Sequence, residues 1–234
     1  MSDDKSWTLK RKFLFCVVNA CTSLNTLLGV AAIFLAPISI VYAAICVGAS
    51  TIFDAVDGFL ARRWQVNSGF GAQLDSLGDF SSFGMATGVI GYYWVGHGAV
   101  NVWAWVGAAF YILCAAIRLA RYNANTDSLC PPAYFEGLPS TAAACSLAAL
   151  VIFGNSSDSL INLLLLMFFG ALMVSRLPYP KLTRMGWMPK WVWLIPVIMA
   201  FFSTWLTAWL CVGAYAVSGF VVALRPSKRR GNED

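Results

Sequence analysis

A series of apolar runs, each about as long as a bilayer is thick, dominates this chain. They lie at 17–36, 38–60, 75–96, 100–120, 138–154 and 159–175, and a longer run extends from Trp191 to Leu224. At 1.5 Å per residue, about 20 apolar residues in a helix cross a hydrocarbon core of about 30 Å. The 34 residues of the last run would make a helix of roughly 50 Å, too long for one crossing. Two short spans joined by a turn near 207–211 fit better. Inside lipid, every backbone N–H and C=O must be satisfied within the protein, which admits helices and excludes irregular chain. The expected fold is therefore all-α, a polytopic membrane bundle of about eight helices forming one domain over residues 1–234.

Composition agrees. Hydrophobic residues make up 59% of the chain and charged residues 12%, against about a quarter charged in a soluble domain. No polar stretch is long enough for a soluble domain. No small-residue cleavage site follows the first run, so no removable signal peptide is expected. The 7 cysteines are scattered, with no C-x-x-C and no metal-type spacing, and read as small packing residues.

The charges set an orientation. With the N-terminus inside, the inner segments 1–16, 61–74, 118–137, 176–190 and 225–234 carry 4, 2, 2, 4 and 4 Lys or Arg, which is all 16 in the chain. The outer loops around 37, 97 and 155 carry none. The positive-inside rule then puts both termini in the cytoplasm. The partner implied by the basic segments 1–16 and 225–234 is the anionic headgroup layer, with no nucleic acid needed to explain a net charge of +5.

Against this background four acids stand out. In "DAVDGFLARR", at the cytoplasmic end of the second run, Asp54, Asp57, Gly58 and Ala61 fall at i, i+3, i+4 and i+7, one face of a helix. After the turn-rich "NSGFG", the third run opens with "QLDSLGDFSSFG", where Asp75 and Asp79 are four apart and again share a face. Each aspartate within a span costs about 2.5–3.5 kcal/mol on insertion scales. Two carboxylates about 4 Å apart repel by about 4 kcal/mol more at an effective dielectric of 20. Only Arg62 and Arg63 stand close in sequence to offset four negative charges. Protonated acids in a proton relay are one solution, and divalent cations the other, since an all-carboxylate site suits Mg²⁺, Mn²⁺ or Ca²⁺. The small residues beside the acids favour cations, because a relay needs no open recess. Paired metals bridged by carboxylates suit displacement at phosphorus.

Written out, the stretch is D54-x2-D57-G58-x2-A61-R62-x8-G71-x3-D75-x3-D79, eight fixed residues over 26 positions. It resembles the full signature of the CDP-alcohol phosphotransferase family, with no departure. Members are integral membrane enzymes that move a substituted phosphoryl group from a CDP-linked donor to an alcohol and release CMP. The resemblance implies that Asp54, Asp57, Asp75 and Asp79 hold two divalent cations, Mg²⁺ or Mn²⁺, with Asp79 also the general base. It implies that Gly58, Ala61 and Gly71 let the cytidine diphosphate approach the backbone and that Arg62 meets the nucleotide or its phosphates. It also implies a homodimer in a prokaryotic inner membrane, with the site on the cytoplasmic side.

Three further stretches resemble the phosphatidylserine-synthase branch. "NACTSLNTLLG" matches P-N-x-x-T-x-x-N-x-x-x-G at Asn19, Thr22, Asn25 and Gly29, with Val18 in place of proline, and adds Asn25 to the CDP-binding set. "DSLGDFSSFG" carries Ser82. "RLARYNAN…YFEGLPSTAAA" carries Arg118, Arg121 and Asn123, with Tyr122 for phenylalanine and Thr141 for a proline. This branch implies transfer of a phosphatidyl group from CDP-diacylglycerol to L-serine, giving phosphatidylserine and CMP. An arginine fork matches a carboxylate or phosphate, and serine differs from choline, inositol and glycerol phosphate in its carboxylate. Arg118, Arg121, Asn123 and Ser82 are thus the candidate acceptor- or phosphate-binding residues. The same chemistry with one of those other alcohols is the alternative. An ion-coupled transporter is a more distant one, and it would spread its acids through the membrane depth. His97 stands alone in an outer loop and reads as solvated.

Overall fold

In the computed structural model, residues 8–66, 68–126, 134–154, 158–175 and 178–180 are described. Among them the chain is helical almost throughout: α1 (Leu9–Leu35), α2 (Ile40–Trp64), α3 (Gly69–Asp79), α4 (Thr87–Gly96), α5 (Val102–Thr126), α6 (Ser140–Phe153) and α7 (Ser159–Val174). A π-helical segment, Phe80–Ala86, joins α3 to α4 without a break in right-handed backbone, so Gly69–Gly96 is one rod. The six rods coincide with the six expected runs from 17 to 175. By length and composition α1, α2 and Val102–Ala124 of α5 can each cross a membrane, and α6 and α7 are shorter apolar helices. The run from Trp191 to Leu224, its division near 207–211, and the terminal segments lie outside the described residues. Among the described residues there is one short departure from the all-α expectation. Tyr134–Glu136 (β1) pairs antiparallel with Pro178–Pro180 (β2), tying the segment before α6 to the one after α7.

Local chemistry sets the ends of the rods. Ser39 caps α2 by accepting from Tyr42 N at 3.4 Å, Asn101 receives Trp103 N at 2.9 Å before α5, and Asp158 receives Leu160 N at 2.9 Å at the start of α7. Such caps satisfy backbone donors that a helix leaves open. At its other end α2 stops where Gln65 turns left-handed (φ 53°), and Arg11 of α1 donates to the Gln65 carbonyl at 3.0 Å.

α1 packs along α2 and along the α3 rod, and α3 comes in close. A Cβ on Gly78 would lie 2.8 Å from Thr26 Oγ1, so a larger residue would have to displace that hydroxyl. Further from the aspartates, α4, α5, α6 and α7 enclose a core that includes Phe83, Ile90, Trp94, Tyr111, Leu147 and Leu166. Large apolar side chains such as Leu27, Phe34, Ile45, Ile52, Phe59 and Leu164 stay on the outside, the inverse of a soluble surface and the pattern that lipid accepts. The fold is an integral-membrane helical bundle.

Candidate active site

The site forms where α1, the end of α2 and the start of α3 meet. The face anticipated for α2 is present. Asp57, Gly58 and Ala61 line a cavity of about 200 Å³, joined by Gly71, Ala72 and Asp75 of α3, Val66 and Ser68 of the connecting turn, and Phe15, Val18, Asn19 and Thr22 of α1. One carboxylate oxygen each from Asp54, Asp57 and Asp75 lie within 4.8 Å of one another. The Asp79 carboxyl acts electrostatically on those of Asp54 and Asp75, so the fourth aspartate adjoins the trio.

These donors fit a hard divalent cation. All are oxygens, and they converge from two helices. Asp57 is only 3% exposed, and its Oδ2 is buried with no hydrogen-bond partner. A buried charged oxygen without a partner is costly in a low-dielectric site; a cation among the three carboxylates removes that cost. On the other side Thr22 of α1 lines the same cavity as Asp57, its hydroxyl donating to the Val18 carbonyl at 3.2 Å.

The smaller residues shape the walls. A Cβ on Gly58 would lie 3.4 Å from Arg62 Nη1, so Arg62 folds back one helical turn over Gly58, with its positive charge acting on Asp54 and Asp57. Gly71 lies in the first turn of α3, its N–H held by Ser68 Oγ at 3.0 Å, and a Cβ there would lie 3.4 Å from Asn19 Oδ1. The bare backbone of α3 thereby faces the polar side of α1.

The remaining candidates lie elsewhere. Asn25 is wholly buried and does not line the cavity; its Nδ2 donates to Asp79 Oδ1 at 3.4 Å. Ser82 donates to the Asn25 carbonyl at 2.9 Å. Asn123 exchanges hydrogen bonds with Ser76, which follows Asp75, at 3.1 and 3.2 Å, so α5 is tied to the acid-bearing helix. Arg118 is buried and donates to Ser140 Oγ at 2.8 Å. Arg121 points at the end of α7, donating to the carbonyls of Val174 (3.1 Å), Met173 and Ser175 (3.4 Å each). Phe15, Val66, Ser68 and Ala72 escaped the sequence reading. For Phe15 a signal existed: with Val18, Asn19 and Thr22 it makes a helical stripe at i, i+3, i+4 and i+7.

The family model for CDP-alcohol phosphatidyltransferase matches residues 15–179, and the chain belongs to this family. Among curated proteins it is 34% identical over 194 residues to a CDP-diacylglycerol–serine O-phosphatidyltransferase of Helicobacter pylori, covering 80% of this chain and 81% of that one. A Methanocaldococcus jannaschii protein of the same name is 37% identical over 161 residues, covering 68% and 71%. An archaetidylserine synthase of Methanothermobacter thermautotrophicus is 31% identical over 141 residues, covering 58% and 57%.

Proposed function

We propose that the protein transfers a phosphatidyl group from CDP-diacylglycerol to L-serine, giving phosphatidylserine and CMP. The observation that carries the reading is the convergence of Asp54, Asp57 and Asp75 within 4.8 Å beside a cavity walled by Gly58, Ala61 and Gly71. The names of the relatives support serine as the acceptor. The family is cation-dependent, and Mg²⁺ or Mn²⁺ held by the four aspartates, two ions in all, would supply charge that neutralises the diphosphate and the departing CMP.

The chain's own residues do the rest. Gly58, Ala61 and Gly71 leave room for the nucleotide against bare backbone, and Arg62 meets its phosphates. The serine hydroxyl attacks the phosphorus that bears the diacylglycerol. Its proton passes to Asp79, the bond from that phosphorus to the bridging oxygen breaks, and CMP leaves. Arg118, held in place by Ser140, offers its guanidinium to the serine carboxylate. The cations Arg62 and Arg63 beside the aspartates support a reaction on the cytoplasmic side, and the bacterial and archaeal relatives support a prokaryotic inner membrane. A homodimer remains part of the proposal on family grounds alone.

The test is CMP release from purified protein given CDP-diacylglycerol and Mn²⁺ or Mg²⁺, with serine, inositol, glycerol 3-phosphate and choline supplied separately. Serine alone should drive release, chelation should stop it, and Asp79→Asn should lower turnover by at least about 10²-fold. Release with another alcohol would retain the aspartate chemistry and remove Arg118 from its role. Ion flux through proteoliposomes with no CMP release would replace the enzyme with a transporter. The archaetidylserine synthase relative favours one variant reading, a donor with ether-linked chains, decided by supplying both donors.

A further inference from the structure

Asn25 is an anomaly of the bundle. It is 0% exposed, sits on α1 away from the cavity lining, and its Oδ1 is buried without a hydrogen-bond partner. A buried polar atom left unpaired is unfavourable, and such groups are retained where they serve a role. Its Nδ2 gives the reason. It donates to Asp79 Oδ1, the carboxyl to which the proposed mechanism delivers the acceptor's proton.

The placement of that amide is fixed from two directions. The Asn25 carbonyl accepts from Ser82 Oγ at 2.9 Å, and Ser82 lies in the π-helical segment that begins one residue after Asp79. One turn further along α1, a Cβ on Gly29 would lie 2.7 Å from Ser82 Cα, so the two backbones are in contact there. Asn25 and Asp79 are thus held in register by main chain on one side and by side chain on the other.

We propose that Asn25 is a positioning residue: its amide N–H holds Asp79 Oδ1, which fixes the plane of the carboxyl group and aims its other oxygen at the acceptor hydroxyl. This rests on the reading of Asp79 as the base. It also separates Asn25 from nucleotide binding, the role suggested by the motif around it. The amide-to-carboxylate distance of 3.4 Å is long, as such bonds often are before substrate draws a site together. An aspartate at position 25 would keep the shape and lose the donor, while a serine would keep a donor on a shorter stem.

The experiment compares Asn25→Asp, Asn25→Ala and Asn25→Ser with the parent enzyme in detergent, measuring kcat, KM for CDP-diacylglycerol, KM for serine, and Mn²⁺ affinity by electron paramagnetic resonance without substrate. The expected result is a fall in kcat of about 10²-fold for Asn25→Asp and Asn25→Ala, the scale of a misplaced reacting group. Both KM values, and for Asn25→Ala and Asn25→Ser the Mn²⁺ affinity, should stay within about twofold, and Asn25→Ser should recover about tenfold of the loss. A large rise in the KM for CDP-diacylglycerol at unchanged kcat would make Asn25 a nucleotide contact and overturn the proposal. Near-parental kcat in Asn25→Ala would also overturn it. Should the Asn25 variants not fold, Ser82→Ala decides. It removes only the backbone tie, and a kcat loss of about tenfold at constant KM supports positioning, whereas no loss refutes it. Asp79→Asn separates the two levels. If it keeps full turnover, the base reading falls first; if it is inactive while Asn25→Asp is not, positioning alone falls.

Discussion

Asp57 shows what a functional group costs at the scale of one residue. Its carboxylate is buried, one oxygen is unsatisfied, and Asp54 and Asp75 converge on it. Without a cation those charges repel, and their separation from water weakens the screening that would relieve them. Asp57→Asn is therefore expected to raise the thermal unfolding temperature of metal-free protein while abolishing CMP release. Adding Mn²⁺ should raise the unfolding temperature of the parent protein and not of Asp57→Asn, because only the parent folded state gains from binding. A parent unfolding temperature indifferent to Mn²⁺ would leave the carboxylates without a metal role. Gly29 tests close approach instead of charge. With Ser82 Cα 2.7 Å from a Cβ there, Gly29→Ala should cost about 1–3 kcal/mol through overpacking. Gly48→Ala, where nothing lies within 4 Å, should be stabilising by up to about 1 kcal/mol through helix propensity.

At the scale of elements, two features govern how the rods meet. The first is the π-helical segment Phe80–Ala86. Its widened turn shifts carbonyls out of the usual ladder, and nearby hydroxyls receive them: Thr87 Oγ1 donates to Ser82 O and Tyr111 Oη to Phe83 O, at 3.3 Å each. π-bulges gather at functional sites, and this one follows Asp79 directly. Tyr111→Phe deletes the donor inside a fully buried core and should cost about 1–3 kcal/mol, the price of an orphaned carbonyl. Thermal unfolding in detergent would measure it. The second feature is the cap that Arg121 places on α7, a cation against the negative end of a helix. Arg121→Lys cannot reach three carbonyls at once, so the unfolding temperature should fall with the KM for serine unchanged. A rise in that KM at constant unfolding temperature would return Arg121 to the acceptor site.

Across the whole molecule, the positive-inside reading of the cations predicts that the turn at His97 and Gly98, both in left-handed backbone, faces away from the cytoplasm. In a cysteine-free background, a cysteine replacing Gly98 should react with an impermeant maleimide from outside intact cells, and one replacing Ser68 should not. The reverse would invert the bundle. Much of this arrangement was legible beforehand. Hydropathy located six rods, because burial in lipid demands long uninterrupted apolar helices. It misjudged their ends, since α1 begins at Leu9, α3 at Gly69 and α5 runs to Thr126, where polar residues continue a helix beyond the apolar run. The trio of acids was legible because helical spacing fixes which side chains share a face. The π segment was not, having no periodicity of its own, and neither was the partner chosen by Arg121, which depends on where α7 ends. One consequence concerns the order of synthesis. Phe15 through Ser82 contain the cavity lining, all four aspartates and their supports, so the ribosome has made every one of these groups before it reaches α4. At about 5–20 residues per second, the end of α7 at Val174 follows Ser82 by roughly 5 to 18 s, so the reactive end can assemble in the bilayer before the rest of the bundle is made.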